Sequence, residues 1–495
     1  MIEQLPIIIL LSLLVTALCI PLLKKKSWFK IQVMGYITLT FVLISTIIVL
    51  IYVHQNGAFY YRFGHYPQSI GVELLINQAS ALFTVMIALL SWLIFMYSTS
   101  DMPHEIMAKD YGRYYTLVFI LLFSMFGLLY TNDLFNTYVF MEILSITTCA
   151  IISIKRKKEN YTAAFRYLML NEIGSLSYLF GVALIYMITG YLNIDLVAQN
   201  LTLVWALYPV NIIIALAFML IGISIKAAIF PFHVWLPDAH STAPSPSSAI
   251  LSAIVVKVYI IILVKVLFRV IGIDILETLN VPVFIIVVGA VGMLMGSFFA
   301  LGQRDVKRVL GYSSVAQIGY IVLGIGLLSP LGLRAAFFHI ISHGLMKTAL
   351  FLAAGVVIYK QNIRKIDQYK GVGMVLPITM TVFLIAALGM IGIPGTSGFM
   401  AKLSLAIGVL DKELYLLLGV IVLSGIFNAL YYLPLMISAF LKDNPNNPSM
   451  MTLDKVPKRM LFPLIVIAVL ILYLGFFPNA LMALIDAAVQ TFIGV

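Results

Sequence analysis

Lys226, Lys257, Lys347 and Lys402 each lie several residues inside an apolar run, where an ammonium group has no bulk water to solvate it. A charge at that depth costs roughly 2.5–3.5 kcal/mol even on the lenient insertion scale, and residues that carry it usually mark a proton or ion path. Two carboxylates lie at similar depth, Glu142 in "YVFMEILSI" and Glu172 in "LMLNEIGSL". His339, His343 and Lys347 follow one another at i, i+4 and i+8, so they line one face of a helix. Lysine suits proton exchange because burial disfavours its ammonium form and a carboxylate beside it restores that form. A lysine alternately paired with and parted from Glu142 therefore takes up and releases a proton. For any one of these groups a structural ion pair between helices is an open alternative.

The elements that position these groups are apolar spans. The chain has 495 residues, 62% hydrophobic and only 10% charged, where a soluble protein carries about 25% charge. Apolar runs of about 20 residues recur from end to end, long enough to cross a bilayer as helices. The fold class is thus an all-α polytopic membrane protein, with about fourteen transmembrane helices. The spans that carry the buried charges cover 133–153, 162–189, 209–230, 245–271, 331–358 and 374–409. The third and last are read at 73–97 and 460–482. The first run has only Glu3 before it and ends in Lys24, Lys25 and Lys26, so it reads as a retained span rather than a cleaved signal.

The net charge of +11 follows the loops between spans rather than a nucleic-acid surface. One set of alternate loops holds Lys24, Lys25, Lys26 and Lys30, then Lys109 and Arg113, then Lys155, Arg156, Lys157 and Lys158. It continues with Arg304, Lys307 and Arg308, with Lys360, Arg364, Lys365 and Lys370, and with Lys442, Lys455, Lys458 and Arg459. The other set offers Arg62, Arg269, Arg334 and Lys412. The excess of basic residues makes the first set cytoplasmic and places both termini outside. Arg166 and Lys265 remain near span ends, where long side chains reach for the interface.

Two spans are broken. In "KAAIFPFHVWLPDAH" Pro231 and Pro237 each remove a backbone hydrogen bond, and in "GMIGIPGTSGFMAK" Gly392, Pro394, Gly395 and Gly398 interrupt a run too long for one crossing. Irregular backbone at membrane depth is tolerated only inside protein or against a wet cavity. Two lysine-bearing broken spans an odd number of helices apart point to inverted repeats, a transporter architecture. His233, Asp238 and His240 stand at the first break as proton acceptors or as loop braces. Cys19 and Cys149 lie in apolar runs and read as small core residues. No Walker loop, dinucleotide fingerprint or CxxC pair occurs, so no cofactor, metal site or redox centre is expected in this chain.

"IKAAIFPFHVWLPDAHSTAPSPSSAIL", with "VLGYSSVAQIGYI", "SHGLMKTALFLAAG" and "GIPGTSGFMAK", resembles the antiporter-like subunits shared by Mrp cation/proton antiporters, respiratory complex I and membrane-bound hydrogenases. The resemblance implies fourteen helices with two inverted five-helix repeats. On that division 1–111 holds three helices, 112–272 the first repeat, 273–441 the second, and 442–495 a loop and last helix. It implies a midplane proton relay through Glu142, its partner Lys226, Lys257 of the eighth helix, His339 and His343 of the eleventh, and Lys402 of the twelfth. A lysine at 402 is closer to the Mrp D-type and hydrogenase subunits. Glu172 and Lys347 are relay members or local charge balance, and Lys265 has no assigned role. The expected partners are other membrane subunits, protons and the lipid bilayer of a prokaryotic plasma membrane. A sodium site needs an oxygen cage, which no cluster here specifies. A D-type member of an Mrp complex is the leading expectation, a redox-driven complex I or hydrogenase subunit the second, and a membrane scaffold the third.

Overall fold

In lipid an apolar run finds no water for its backbone groups and must satisfy them within itself, as a helix. In the computed structural model, which describes residues 2–23, 28–69, 71–441 and 454–493, thirteen helices are long and apolar enough to cross a membrane. They are Ile2–Leu22, Trp28–Asn56, Gln78–Glu105, Ala108–Tyr130, Leu134–Ser153, Lys158–Thr189 and Pro209–Lys226, then Ser245–Ile271, Val281–Leu301, Val306–Gly326, Pro330–Gln361, Tyr415–Leu441 and Lys458–Phe476. Two pieces too short to cross alone, Pro377–Ile391 and Ser397–Asp411, lie in sequence where a twelfth crossing belongs. Counting them as one gives the fourteen crossings numbered below. The eighth, tenth and eleventh are buried along nearly their whole length and form the axis of the bundle.

Both breaks are present. The seventh crossing stops at Lys226 and resumes as Trp235–Thr242, with Pro231 in the gap. Pro237 breaks nothing: it is the third residue of the resumed helix, where its missing N–H would have had no partner. The twelfth turns through Gly392 and Gly395 at φ +96° and +86°, which side chains rarely adopt. A Cβ on Gly398 would lie 1.9 Å from the Gly389 carbonyl oxygen, so only glycine lets the two pieces lap this closely.

The axial helices gather alternate loops at opposite ends. At one end Arg156 reaches Asp110 at 2.6 Å, Lys155 pairs with Glu105, and Asp305 bridges to Lys365. At the other Arg62 meets Glu73 at 2.8 Å, Arg269 pairs with Asp195, and Asp133 bridges to Asn193. Lys24, Lys25, Lys26 and Lys442 lie outside the described residues.

Some expectations change. The third span begins at Gln78, not 73, because Asn77 and Ser80 form a capping box and residues Glu73–Ile76 pair as a strand with Phe59–Arg62. The last crossing ends at Phe476, and a separate helix, Asn479–Ile493, packs Phe492 against Phe337 at 5.8 Å. Both cysteines are free and half-buried rather than core residues. Arg166 does not reach for the interface alone but pairs with Asp238 at 2.8 Å.

Candidate functional site

Lys226 closes the first piece of the seventh crossing and is fully buried. Its ammonium donates to Ser145 Oγ at 2.6 Å and stands 3.5 Å from Glu142 Oε1, both on the fifth crossing. The Tyr259 ring covers it from the eighth crossing at 5.8 Å. Glu172 lies half-buried on the sixth crossing. The result is a base facing an acid across a contact looser than a hydrogen bond. The frayed end of the helix is held by Trp235, whose indole donates to the Ile225 carbonyl at 2.8 Å.

Lys257 sits on the eighth crossing just after a π-helical turn, Leu251–Val255. Such a turn shifts the ladder by one residue and recurs at functional sites. Here the Lys257 ammonium donates to the Ser252 carbonyl of that turn. Ser252 Oγ is 2.8 Å from Ser314 Oγ on the tenth crossing. Ser314 donates to the Leu310 carbonyl at 2.9 Å, and Lys347 from the eleventh donates to the same oxygen at 2.7 Å. Lys257 and Lys347 are thus joined through a short polar ladder on the tenth crossing. Ser313, which also accepts from Lys347, reaches Tyr432 at 3.0 Å.

From there the eleventh crossing carries the line onward. His343 is fully buried with neither ring nitrogen bonded among the described residues, and the His339 ring lies 6.1 Å away. His339 Nε2 is 2.9 Å from Gln317 Oε1, and its ring stacks on Tyr320 at 5.4 Å. The other neighbour of Tyr320 is Lys402, whose ammonium stands 4.7 Å from the ring centre, within cation–π range. Lys402 donates to the carbonyls of Met390 and Ile391 at 2.9 and 2.8 Å, capping the first piece of its own broken crossing.

The remaining residues divide. His240 is fully buried against Phe351 at 4.8 Å, with both ring nitrogens free among the described residues. His233 stacks on Phe230 and Phe299 and keeps Nδ1 unbonded. Asp238 is bridged by Arg166 and Arg308, both at 2.8 Å, at the rim of the bundle. Lys265 does not reach for an interface. It is buried and donates to the carbonyls of Leu128, Leu129 and Thr131, which closes the fourth crossing. A cation at a helix C-terminus also meets the negative end of the helix dipole.

Sequence reasoning missed Ser145, Tyr259, Gln317 and Tyr320. A signal existed for the last two: Ser313, Gln317 and Tyr320 recur at helical spacing within an apolar run. Among the described residues no three His, Cys, Asp or Glu side chains gather as a metal site. The arrangement can exchange protons along a buried line of bases.

Comparison with known proteins bears on the same residues. Residues 131–428, which hold every member of the line, match the family described as NADH:quinone oxidoreductase/Mrp antiporter, transmembrane. Residues 65–115 match the complex I chain 5 N-terminal family. The N-type subunit of NADH-quinone oxidoreductase from Desulforudis audaxviator is 35% identical over 84% of each chain. The D-type subunit of the Na(+)/H(+) antiporter from Alkalihalophilus pseudofirmus is 28% identical over 88% of this chain and 87% of its own. The fold aligns with a chain of the archaeal membrane-bound sulfane sulfur reductase at TM-score 0.90 and 26% identity, covering 99% of this chain and 98% of the other. It aligns with a chain of the Mrp complex from Dietzia sp. DQ12-45-1b at TM-score 0.88 and 23% identity, over 99% and 97%. The chain is a multi-pass membrane protein that belongs to the antiporter-like family of transmembrane subunits shared by NADH:quinone oxidoreductases and Mrp antiporters.

Proposed function

We propose that the chain relays protons through its interior as the antiporter-like subunit of a multisubunit complex in a prokaryotic plasma membrane. The observation that carries this reading is the buried line from the Glu142–Lys226 pair, by Lys257, Lys347, His343 and His339, to Lys402. Glu142 and Lys226 form the gate. Closed, the carboxylate holds the proton on Lys226; opened, the ammonium is left in a dry site and gives its proton up. Glu172 adds negative charge to the same site, and Lys347 serves as a station between Lys257 and the histidines. On the two inverted repeats, 112–272 and 273–441, the gate and the Lys402 end are equivalent positions. The basic residues of those loops support a cytoplasmic position for that face, with both termini outside.

Lys402 and the similarity to a D-type antiporter chain support a D-type place in an Mrp antiporter. The 35% identity to an N-type oxidoreductase chain supports a second reading, a pump driven by electron transfer in neighbouring subunits. Copurification decides between them: iron–sulfur or nickel subunits establish the redox-driven assembly, and their absence from the intact complex establishes the antiporter. The relay itself is tested in membrane vesicles with neutral substitutions at Lys257 and Lys402. Undiminished proton transport in both would leave the buried charges a scaffold role only.

A further inference from the structure

At the basic end a polar cavity of about 330 Å³ opens between the third, tenth and eleventh crossings, and no residue of the relay lines it. Asp101 lines it from the last turns of the third crossing. Asp101 is 1% exposed, and its Oδ2 is buried without a hydrogen-bond partner among the described residues. A buried carboxylate oxygen left unpaired is rare and calls for water or a proton. The second acid of the cavity, Glu105, is fully engaged: Lys155 pairs with it, and Ser245 donates its N–H and Oγ at 3.2 and 3.1 Å. Those bonds fasten the cavity wall to the start of the eighth crossing, the helix that carries Lys257.

The inner wall is Lys307. It heads the tenth crossing yet is only 2% exposed, and it donates to the Ala243 carbonyl at 3.1 Å. It shares the cavity wall with Asp101 on one side, and on the other a Cβ on Gly311, one helical turn further along, would lie 3.6 Å from the His240 ring. His240, with both ring nitrogens unbonded among the described residues, and Lys347 stand against the same Phe351 ring, at 4.8 and 6.0 Å. Asp101, Lys307 and His240 therefore span the distance between a wet cavity and the midplane lysines.

We propose that this cavity is the port through which protons reach the relay from the basic end, with Asp101 as the group that takes them from water and His240 as the link to Lys347. The inference rests on reading the chain as a proton relay. The Asp101 carboxylate takes a proton from a cavity water, which becomes hydroxide and is neutralised by the bulk. The Lys307 ammonium gives a proton to an unbonded ring nitrogen of His240 and is reprotonated by the Asp101 carboxyl, and the carboxylate is regenerated. The imidazolium then protonates a neutral Lys347.

The test uses the intact complex in inside-out vesicles, with proton movement followed by a pH-sensitive dye and assembly checked on native gels. Asp101→Asn keeps the size and shape of the side chain but has no carboxylate to take up a proton, and is expected to slow transport about a hundredfold. Asp101→Glu alters the shape, retains the proton and should hold the rate within about threefold of the native protein. A structural role predicts the opposite ranking and would overturn the proposal. Should Asp101→Asn not assemble, His240→Gln decides, with a native rate overturning the link and a loss supporting it. Lys257→Ala is the control. If it too pumps normally, the relay reading has failed; if it is dead while Asp101→Asn pumps normally, only the port has.

Discussion

At the seventh crossing the buried lysine ends the first helical piece and faces a carboxylate that can change charge. At the twelfth it lies in the second piece and faces two backbone carbonyls and a tyrosine ring, which carry no charge near neutral pH. Two broken crossings thus surround lysine with different kinds of partner. Fixed dipoles hold an ammonium with a constant strength, because their charge is part of the backbone. A carboxylate 3.5 Å away on a different helix holds it only while the two helices stay close. For the proposed relay the difference teaches where control would reside: a small movement of the fifth crossing against the seventh would switch the Lys226 end, and the Lys402 end would be a station of steady affinity.

The strongest way to break this comparison is at the switch. Lys226→Ala and Glu142→Ala should each lower proton transport about a hundredfold or more while the complex assembles. The double change Glu142→Lys with Lys226→Glu keeps the pair with its signs exchanged and should recover part of the loss. A double-mutant cycle in vesicles measures this, and strict additivity of the single effects would show that the two groups do not act as a pair.

The Lys402 end predicts a different pattern. Among the described residues, Lys402→Met removes the only side-chain donor to the Ile391 carbonyl, while Met390 keeps a donor in Asn428 at 3.3 Å. An orphaned buried carbonyl costs about 1–3 kcal/mol, so the variant should lose thermal stability along with transport. Lys226→Ala leaves its helix end capped by Trp235 and should lose transport with little stability. Equal melting losses in the two variants would erase the distinction between switch and station.

The lysines and both breaks could be read in the sequence because each violates a strong rule, a charge or a proline inside an apolar run. What the lysines touch could not. Carbonyl partners such as Met390, Ser252 and Leu128 are backbone groups freed by a break, a π turn or a helix end, and side-chain pattern carries no trace of them. Lys307 reads as one more basic flank because it lies beside Arg304 and Arg308 in sequence. Its burial comes from the loop after the seventh crossing folding over it, a contact across 64 positions. Asp101 is similar: near a span end it passes for an interfacial acid, and only the neighbouring crossings make it a buried one. The hairpin Phe59–Arg62 with Glu73–Ile76 was hidden because Glu73–Ile76 continues directly into the apolar third span.

A smaller effect tests how the station end is wired. Among the described residues Gln317 is the one side chain bonded to His339, and it fixes which ring nitrogen faces the line. Gln317→Leu removes a bond worth about 0.5–1.5 kcal/mol. Transport should fall about two- to tenfold, with assembly intact. An unchanged rate would mean that protons bypass His339.

The smallest effect is expected between the two halves, where Tyr259 touches the gate from the helix of Lys257. Its hydroxyl is 3.4 Å from Ser145 Oγ and 3.5 Å from the Met141 carbonyl, both at the outer limit of a hydrogen bond. Bonds that long contribute little, so Tyr259→Phe should change transport less than about twofold. That result would mean the step from Lys226 to Lys257 runs through water admitted when the gate opens, since among the described residues no hydrogen bond joins the two lysines directly. A large loss would instead make the phenol a station, tie the switch to the axis through fixed groups, and remove the reason for the two halves to differ.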